Sequence, residues 1–243
     1  VVCNGISTIE YCLDSVADQT YKNREHVVID GASSDGTLEL LESRQSQLSV
    51  LLSEPDDGIY YALNKGISYS NGDIIGFLHA DDCYAHPQVL ANIAAEFERD
   101  PRISAVYGDL QYVSKDDTSI VIRNWKSGSF TKNRLAWGWM PPHPTLYVRK
   151  EWYERIHGFD TRYRIAADYY SVLQLFSQAE FKVVYLPEIF VKMRLGGASN
   201  QSLTAIVRKS REDWDALRRT GVGAFGGVGA LLWKNLSKFA QFK

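Results

Sequence analysis

Two adjacent carboxylates, Asp81 and Asp82, close the stretch Gly72-Asp73-Ile74-Ile75-Gly76-Phe77-Leu78-His79-Ala80. The apolar run Ile74 to Leu78, bounded by Gly and Asp, reads as a buried parallel strand. In open α/β sheets, ligands sit outside the carboxyl ends of such strands. Two acids there suit a divalent cation, and Mg²⁺ usually binds one or two carboxylates together with substrate phosphates. The plainer reading is a strand end followed by an Asp helix cap. Asp30 and Asp109 also follow apolar runs, and several acids converging on one sheet edge would make a site. Asp168 opens a helical pattern after the small-residue turn Ala166-Ala167, where it either caps the helix or projects into a cleft.

These acids need a frame. Ser7 or Thr8 can cap a first helix carrying Ile9, Cys12, Leu13 and Val16, and Glu25 to Asp30 reads as a strand. The turn Gly31 to Thr37 leads into a helix through Leu38 and Leu41, followed by a strand at Val50-Leu51-Leu52. Ile59, Leu63 and Ile67 mark a helix after Asp56-Asp57-Gly58, and Pro87 starts another with Val89, Leu90, Ile93 and Phe97 on one face. A strand from Ile103 to Gly108 ends at Asp109. Strands and helices alternating roughly every 25 residues predict an α/β fold with a mostly parallel central sheet and helices on both faces. Beyond Asp109 the pattern predicts one or two antiparallel strands over 110–123, a Trp-, Gly- and Pro-containing loop over 124–145, and helices at Glu151 to His157 and Asp168 to Gln178. A strand at Phe181 to Leu186, a loop from Met193 to Asn200 and a charged helix from about Thr204 to Arg219 follow.

The 243 residues carry 27 basic and 29 acidic side chains, so nothing points to nucleic acid as the main partner. The charge is uneven: residues 204–243 hold eight bases and three acids, a net +5, against −7 for the preceding 203. An acidic body with a basic tail suits an enzyme at an anionic surface. Cys3, Cys12 and Cys83 show no pairing or metal-ligand spacing, which favours a reducing compartment. No apolar run approaches the roughly 20 residues that span a bilayer. Val1-Val2-Cys3-Asn4 looks like the last part of a strand, so a few residues are expected upstream.

In order along the chain, Val28 to Thr37, Glu54 to Gly66, Gly72 to Asp82, Tyr107-Gly108-Asp109, His143-Pro144-Thr145, Gly158-Phe159-Asp160 and Ile165 to Tyr170 resemble the family 2 glycosyltransferases with a GT-A fold, particularly those of bacterial polysaccharide assembly. The resemblance covers roughly residues 1–200. It implies a nucleotide-binding half over 1–109 and an acceptor-binding half over 110–203, followed by a basic tail over 204–243. It also implies a UDP-, GDP- or dTDP-linked sugar donor, Mg²⁺ or Mn²⁺, inverting transfer, and a glycan or lipid-linked acceptor. Asn4 at the first strand end and Asp30 would line the nucleotide pocket, bordered by Asp57 and Lys65. Asp81-Asp82 match the family's DxD-type motif, with Asp81 near the ribose and Asp82 on the metal, helped by Asp81. The commoner motif begins with Asp where this chain has His79. Asp168 matches the general base.

Other residues keep two readings. His143 meets the acceptor or a phosphate, or is a loop histidine packed on Trp139. Asp109 orients a ligand or caps a turn. Gly197 and Ser199, within Gly196-Gly197-Ala198-Ser199, present backbone N–H groups to a diphosphate or form a plain turn. Trp125, Trp137, Trp139 and Tyr147 form an acceptor platform or pack in the core. Asp35 reads as a helix cap. If Leu232 to Phe242 is helical, Trp233, Leu236, Phe239 and Ala240 share one face edged with Lys, fitting either an anionic membrane interface or a protein surface. The place expected for such an enzyme is the cytoplasm, at the inner face of the membrane. A nucleotidyltransferase of related architecture would carry a Gly-rich basic loop at the first strand, and Asn4-Gly5-Ile6-Ser7 has no basic residue. A non-catalytic sugar-binding module would not need both Asp82 and Asp168.

Overall fold

The structure is a computed structural model, and it describes residues 1–195, 203–223, 227, 229 and 230. Helix α1 (Ile9–Ala17), strand β1 (Val27–Asp30), α2 (Thr37–Ser43), β2 (Val50–Ser53), α3 (Ile59–Tyr69) and β3 (Ile74–Ile75) build the first half. Then come β4 (Asp82–Tyr84), α4 (Val89–Arg99), β5 (Ala105–Val113), β6 (Val121–Trp125), α5 (Lys132–Ala136) and β7 (Leu146–Arg149). Last are α6 (Lys150–Arg155), α7 (Ala167–Phe176), β8 (Val183–Arg194) and α8 (Leu203–Thr220).

The α/β class holds, but the sheet is mixed. β1 and β2 pair in parallel, and Val2 bridges to Asp30 in the same sense. A second sheet runs β3-β7-β5-β8-β4, with β6 beside β5, and there only β5 and β8 are parallel. Parallel neighbours need a long crossover, which the chain supplies between β1 and β2 and between β5 and β8. The short turn from β5 to β6 allows only an antiparallel hairpin. Sequence misreads this because β5 is buried continuously from Ala105 to Leu110, a pattern usually associated with parallel strands.

The opening stretch also differs from its expected form. Its strand is confined to Ile74–Ile75 and pairs antiparallel with β7. Gly76 passes so close to the Tyr147 ring of β7 that a Cβ there would overlap it. The chain then leaves the sheet, turns Phe77 into the core, and re-enters with Asp82 as the first residue of β4. Asp82 therefore starts a strand rather than following one. Asp109 likewise lies inside β5, not at its end, because β5 continues to Val113 alongside β8.

Helix α3 ties the halves together. Its inward face is Tyr60, Leu63 and Ile67, while Ile59 stays exposed. The Asn64 side chain accepts from the Phe159 amide (2.8 Å) and donates to the Phe159 carbonyl (2.9 Å). This double bond fixes the turn at Gly158, whose positive φ of 71° follows the end of α6. α8 is docked on the catalytic body: Ala216 and Leu217 are buried in the core shared with Tyr169, Val172 and Leu173 of α7. No helix among the described residues is long and apolar enough to cross a membrane. The expected amphipathic face over 232–242 lies outside the described residues.

Candidate active site

Three short stretches meet at the carboxyl ends of β1 and β2. Buried Asp30 accepts from the Ser33 amide (3.0 Å), the Ser33 hydroxyl and the Ser53 hydroxyl (2.6 Å). Ser33 Oγ in turn accepts from the Asn4 amide (2.7 Å), and Asn4 Oδ1 accepts from the Ser34 amide (2.9 Å). Asn4, at a φ of 51°, and Asp30 thus belong to one cluster, as expected. Gly36, not Asp35, holds the cap position of α2; Asp35 accepts from the Thr37 amide and from the Ile6 amide (both 3.1 Å), pinning the 4–6 loop. The Thr37 hydroxyl bond, first among these, holds its carboxyl below the usual range.

Lys65 of α3 sits beside this cluster, because the Glu54 amide bonds the Asp30 carbonyl at 3.0 Å. Lys65 Nζ pairs with Glu54 and with Asp56, each at 2.6 Å. The Asp56 side chain is only 7% exposed, whereas Asp57 is exposed and forms no bond among the described residues. Asp56 is therefore the acid fixed against Lys65, and Asp57 faces outward beside it.

The acid pair lies across from these groups. The 4–6 loop abuts its turn, since a Cβ on Gly5 would lie 3.4 Å from the Ala80 methyl. Asp81 is half-buried, and Asp82 is 2% exposed with neither carboxylate oxygen hydrogen-bonded. Burial first, and the Asp81 charge second, push the Asp82 carboxyl well above the usual range. Arg194 opposes the shift through its amide and its charge, yet completes no bond to either oxygen by geometry. Buried carboxylates are ordinarily paired, so an orphaned one beside a second acid fits a missing cation. No group of three or more His, Cys, Asp or Glu side chains is arranged for a metal among the described residues. Two carboxylates would have to share the ion with substrate oxygens, which suits Mg²⁺ or Mn²⁺ bound to a diphosphate.

Two histidines neighbour this pair, His79 through the backbone and His143 beside the His79 ring, and the Asp168 charge acts on His143. The Asp82 amide bonds the His79 carbonyl (3.0 Å), and the His79 and His143 rings lie 6.2 Å apart. Burial, then His143, hold His79 down to about 3, so it is a neutral imidazole. His143 stacks on Phe77 (5.3 Å) and meets Phe159 edge-on (5.5 Å), not Trp139 as the loop reading supposed. Its two ring nitrogens are buried without partners; burial lowers its pKa, and Asp168 pulls the other way. Asp168 is the second residue of α7, half-buried, with Ala166 rather than Asp168 at the cap position. Its Oδ1 accepts from the Tyr169 amide (2.7 Å) and the Tyr60 hydroxyl (3.2 Å). Tyr60 also donates to the Ile165 carbonyl (2.7 Å). Tyr60 and Lys65 share α3, so one helix reaches both Asp168 and the Asp56 carboxylate paired to Lys65.

Not every candidate belongs with these groups. Asp109 is committed to structure, accepting from the Ser127 amide (2.8 Å) and the Tyr185 hydroxyl (2.9 Å). Tyr147 is core, its hydroxyl 2.7 Å from that of Tyr84. Trp139 packs on Tyr107 and Phe176 and donates its indole N–H to the Ser127 carbonyl. Trp125 stacks on Tyr112 under Arg123. Trp137 is half-buried, so the four do not form a common platform. Gly197 and Ser199 lie outside the described residues. An open depression of about 340 Å³ lined by Arg155, His157, Gln174 and Arg219 contains none of the candidates.

The fold is shared with GT-A glycosyltransferases of known structure. Staphylococcus aureus TarS, residues 1–349 in complex with UDP-GlcNAc, superposes with a TM-score of 0.69 at 16% identity. That match covers 91% of this chain, which spans 64% of the TarS chain. A mannosyltransferase, PcManGT from Pyrobaculum calidifontis, in complex with GDP-Man and Mn²⁺, gives 0.64 at 19% identity, covering 98% of this chain and 72% of that one. A PGL/p-HBAD biosynthesis glycosyltransferase of Mycobacterium tuberculosis is 29% identical over 201 residues, 81% of this chain and 76% of the relative. The glycosyl transferase family 2 model matches residues 1–165, and the chain belongs to that family.

Proposed function

We propose that this glycosyltransferase is inverting and metal-dependent, moving a sugar from a nucleotide-diphospho-sugar to a hydroxyl of a glycan or lipid-linked acceptor in bacterial surface polysaccharide synthesis. The observation that carries the reading is the buried, orphaned Asp82 beside Asp81, together with an Asp168 held through one oxygen by Tyr60 and the Tyr169 amide. The nucleotide lies against Asn4, Asp30 and Lys65, bordered by the exposed Asp57, and its diphosphate points toward Asp81 and Asp82. Asp82 and Asp81 would hold a divalent ion, which would supply charge stabilisation to the departing diphosphate. UDP-GlcNAc and GDP-Man with Mn²⁺, seen in the neighbours, support this donor class.

Asp168 acts on the acceptor. The acceptor oxygen forms a bond to the anomeric carbon as the bond from that carbon to the phosphate oxygen breaks. The electron pair leaves on the diphosphate, and the hydroxyl proton moves to Asp168 Oδ2. Oδ1 is already engaged by Tyr60 and Tyr169, which leaves Oδ2 as the base atom. Attack from the face opposite the leaving group inverts the anomeric centre.

The test is a thermal-shift screen of UDP-, GDP- and dTDP-sugars with and without Mn²⁺. One series should raise the melting temperature only with metal; no metal-dependent shift from any of them refutes the donor assignment. The basic tail also motivates a place at the inner, cytoplasmic face of the membrane. Truncation after Arg219 should reduce sedimentation with anionic liposomes, and an intact chain that stays in the supernatant removes the membrane contact.

A further inference from the structure

Helix α8 lies beyond the region matched to the family, which ends at residue 165, and yet it reaches the turn that delivers Asp168. Glu212 is the reaching residue. Its Oε2 accepts from the backbone amides of Ile165 (2.8 Å) and Ala166 (3.0 Å), and its Oε1 from that of Arg164 (3.2 Å). Three consecutive amides thus converge on one carboxylate, and charge-assisted bonds of this kind are the stronger sort. The Ile165 peptide is held from both sides, since its carbonyl accepts from Tyr60. Tyr60 is the residue whose hydroxyl also reaches Asp168 Oδ1. Ala166 caps α7, two residues before Asp168. A second tie from α8, Asp215 to the Tyr163 hydroxyl (2.7 Å), holds the same turn further upstream.

We propose that Glu212 is a positioning residue for transfer: it clamps the 164–166 turn so that Tyr60 and Asp168 keep the alignment in which Oδ2 meets the acceptor. This rests on the reading of Asp168 as the base. Glu212 touches no part of the nucleotide cluster, so its loss should fall on turnover and not on donor binding. A displacement of a catalytic group by about 1 Å can cost roughly a hundredfold in rate.

The experiment uses the intact chain with UDP-GlcNAc, GDP-mannose and a dTDP-sugar, each with Mn²⁺, taking the donor with the largest metal-dependent thermal shift. Nucleoside-diphosphate release, donor KM, donor Kd and melting temperature are measured for wild type, Glu212→Ala, Glu212→Gln, Leu217→Ala and Asp168→Asn. Leu217 is buried in the same helix but lies outside the clamp, so Leu217→Ala loosens α8 without removing the carboxylate. Expected is a fall in kcat of about tenfold or more for Glu212→Ala, with donor KM and Kd within about twofold. Glu212→Gln, which keeps one acceptor oxygen, should recover part of that loss, and Leu217→Ala should keep kcat despite a lower melting temperature. Normal kcat in both Glu212 variants, or equal kcat loss in Glu212→Ala and Leu217→Ala, overturns the proposal. An inactive Asp168→Asn beside a normal Glu212→Ala overturns the clamp alone; a normal Asp168→Asn overturns the base assignment and the clamp with it.

Discussion

Asp82→Asn should abolish Mn²⁺-dependent donor binding while leaving the melting temperature of the ligand-free protein equal to or above that of wild type. Both halves follow from one observation: this carboxyl is 2% exposed and neither oxygen has a hydrogen-bond partner. An unsatisfied buried polar group costs about 1–3 kcal/mol, more when charged. Asparagine keeps the shape and removes the charge that burial and Asp81 both oppose, so the empty fold loses nothing. An amide oxygen is a poor replacement for a carboxylate on a hard divalent ion. Wild type at a ligand concentration a hundredfold above Kd should gain about 2.7 kcal/mol of stability, and the variant none. Calorimetric titration of the donor with and without Mn²⁺ measures this; a variant with wild-type metal dependence removes Asp82 from the metal site.

The same orphaned acid shows what a sequence can and cannot convey. Asp81-Asp82 stand out in the sequence as adjacent acids after an apolar run, with a helix cap as the competing reading. Their placement does not, since Gly76 breaks the strand only through its approach to Tyr147, a contact some 70 residues away. Asp30 was legible as an acid at a strand end; the serines that hold it, Ser33 and Ser53, look like ordinary turn residues. Asp56 and Asp57 are indistinguishable locally, and only the position of Lys65 on α3 separates the ion-paired acid from the exposed one. His143 offered a loop histidine between prolines, but its stacking partner Phe77 lies in the irregular stretch that had been read as strand.

Tyr60 and Asn64 were missed for a different reason. At i and i+4 on an amphipathic helix they fall on the inward face and pass as core. Their polar tips distinguish them: the Tyr60 hydroxyl goes to Asp168 and Ile165, and the Asn64 amide to both sides of Phe159. Helix α3 thereby fixes three things at once, namely the ion pairs of Lys65, the turn at Gly158 and the orientation of Asp168. A helix that binds two halves through buried polar tips sets their register more narrowly than apolar packing would. That is why donor and acceptor groups drawn from residues 4 to 168 can meet in one place.

Asp168→Asn should keep donor affinity and melting temperature and lose roughly 10²- to 10⁴-fold in kcat, the usual contribution of a positioned base. The fold tolerates the change because the bonds at this position are accepted by Oδ1, from the Tyr169 amide and the Tyr60 hydroxyl. Asparagine can present its carbonyl oxygen to both donors, so the start of α7 keeps these two bonds. The atom altered is Oδ2, which becomes an NH₂ that cannot take a proton. Asp168→Ala is a useful contrast: it removes the base together with the acceptor for the Tyr169 amide and the Tyr60 hydroxyl, and should add a stability loss of about 1 kcal/mol. In the proposed arrangement the donor is bound at Asp30, Lys65 and Asp82, so neither variant should change its affinity. A kcat near wild type in Asp168→Asn, with the same donor and acceptor, would place the base elsewhere. His143 would then be next to examine, since its neutral imidazole lies in the field of Asp168 with both nitrogens unpartnered.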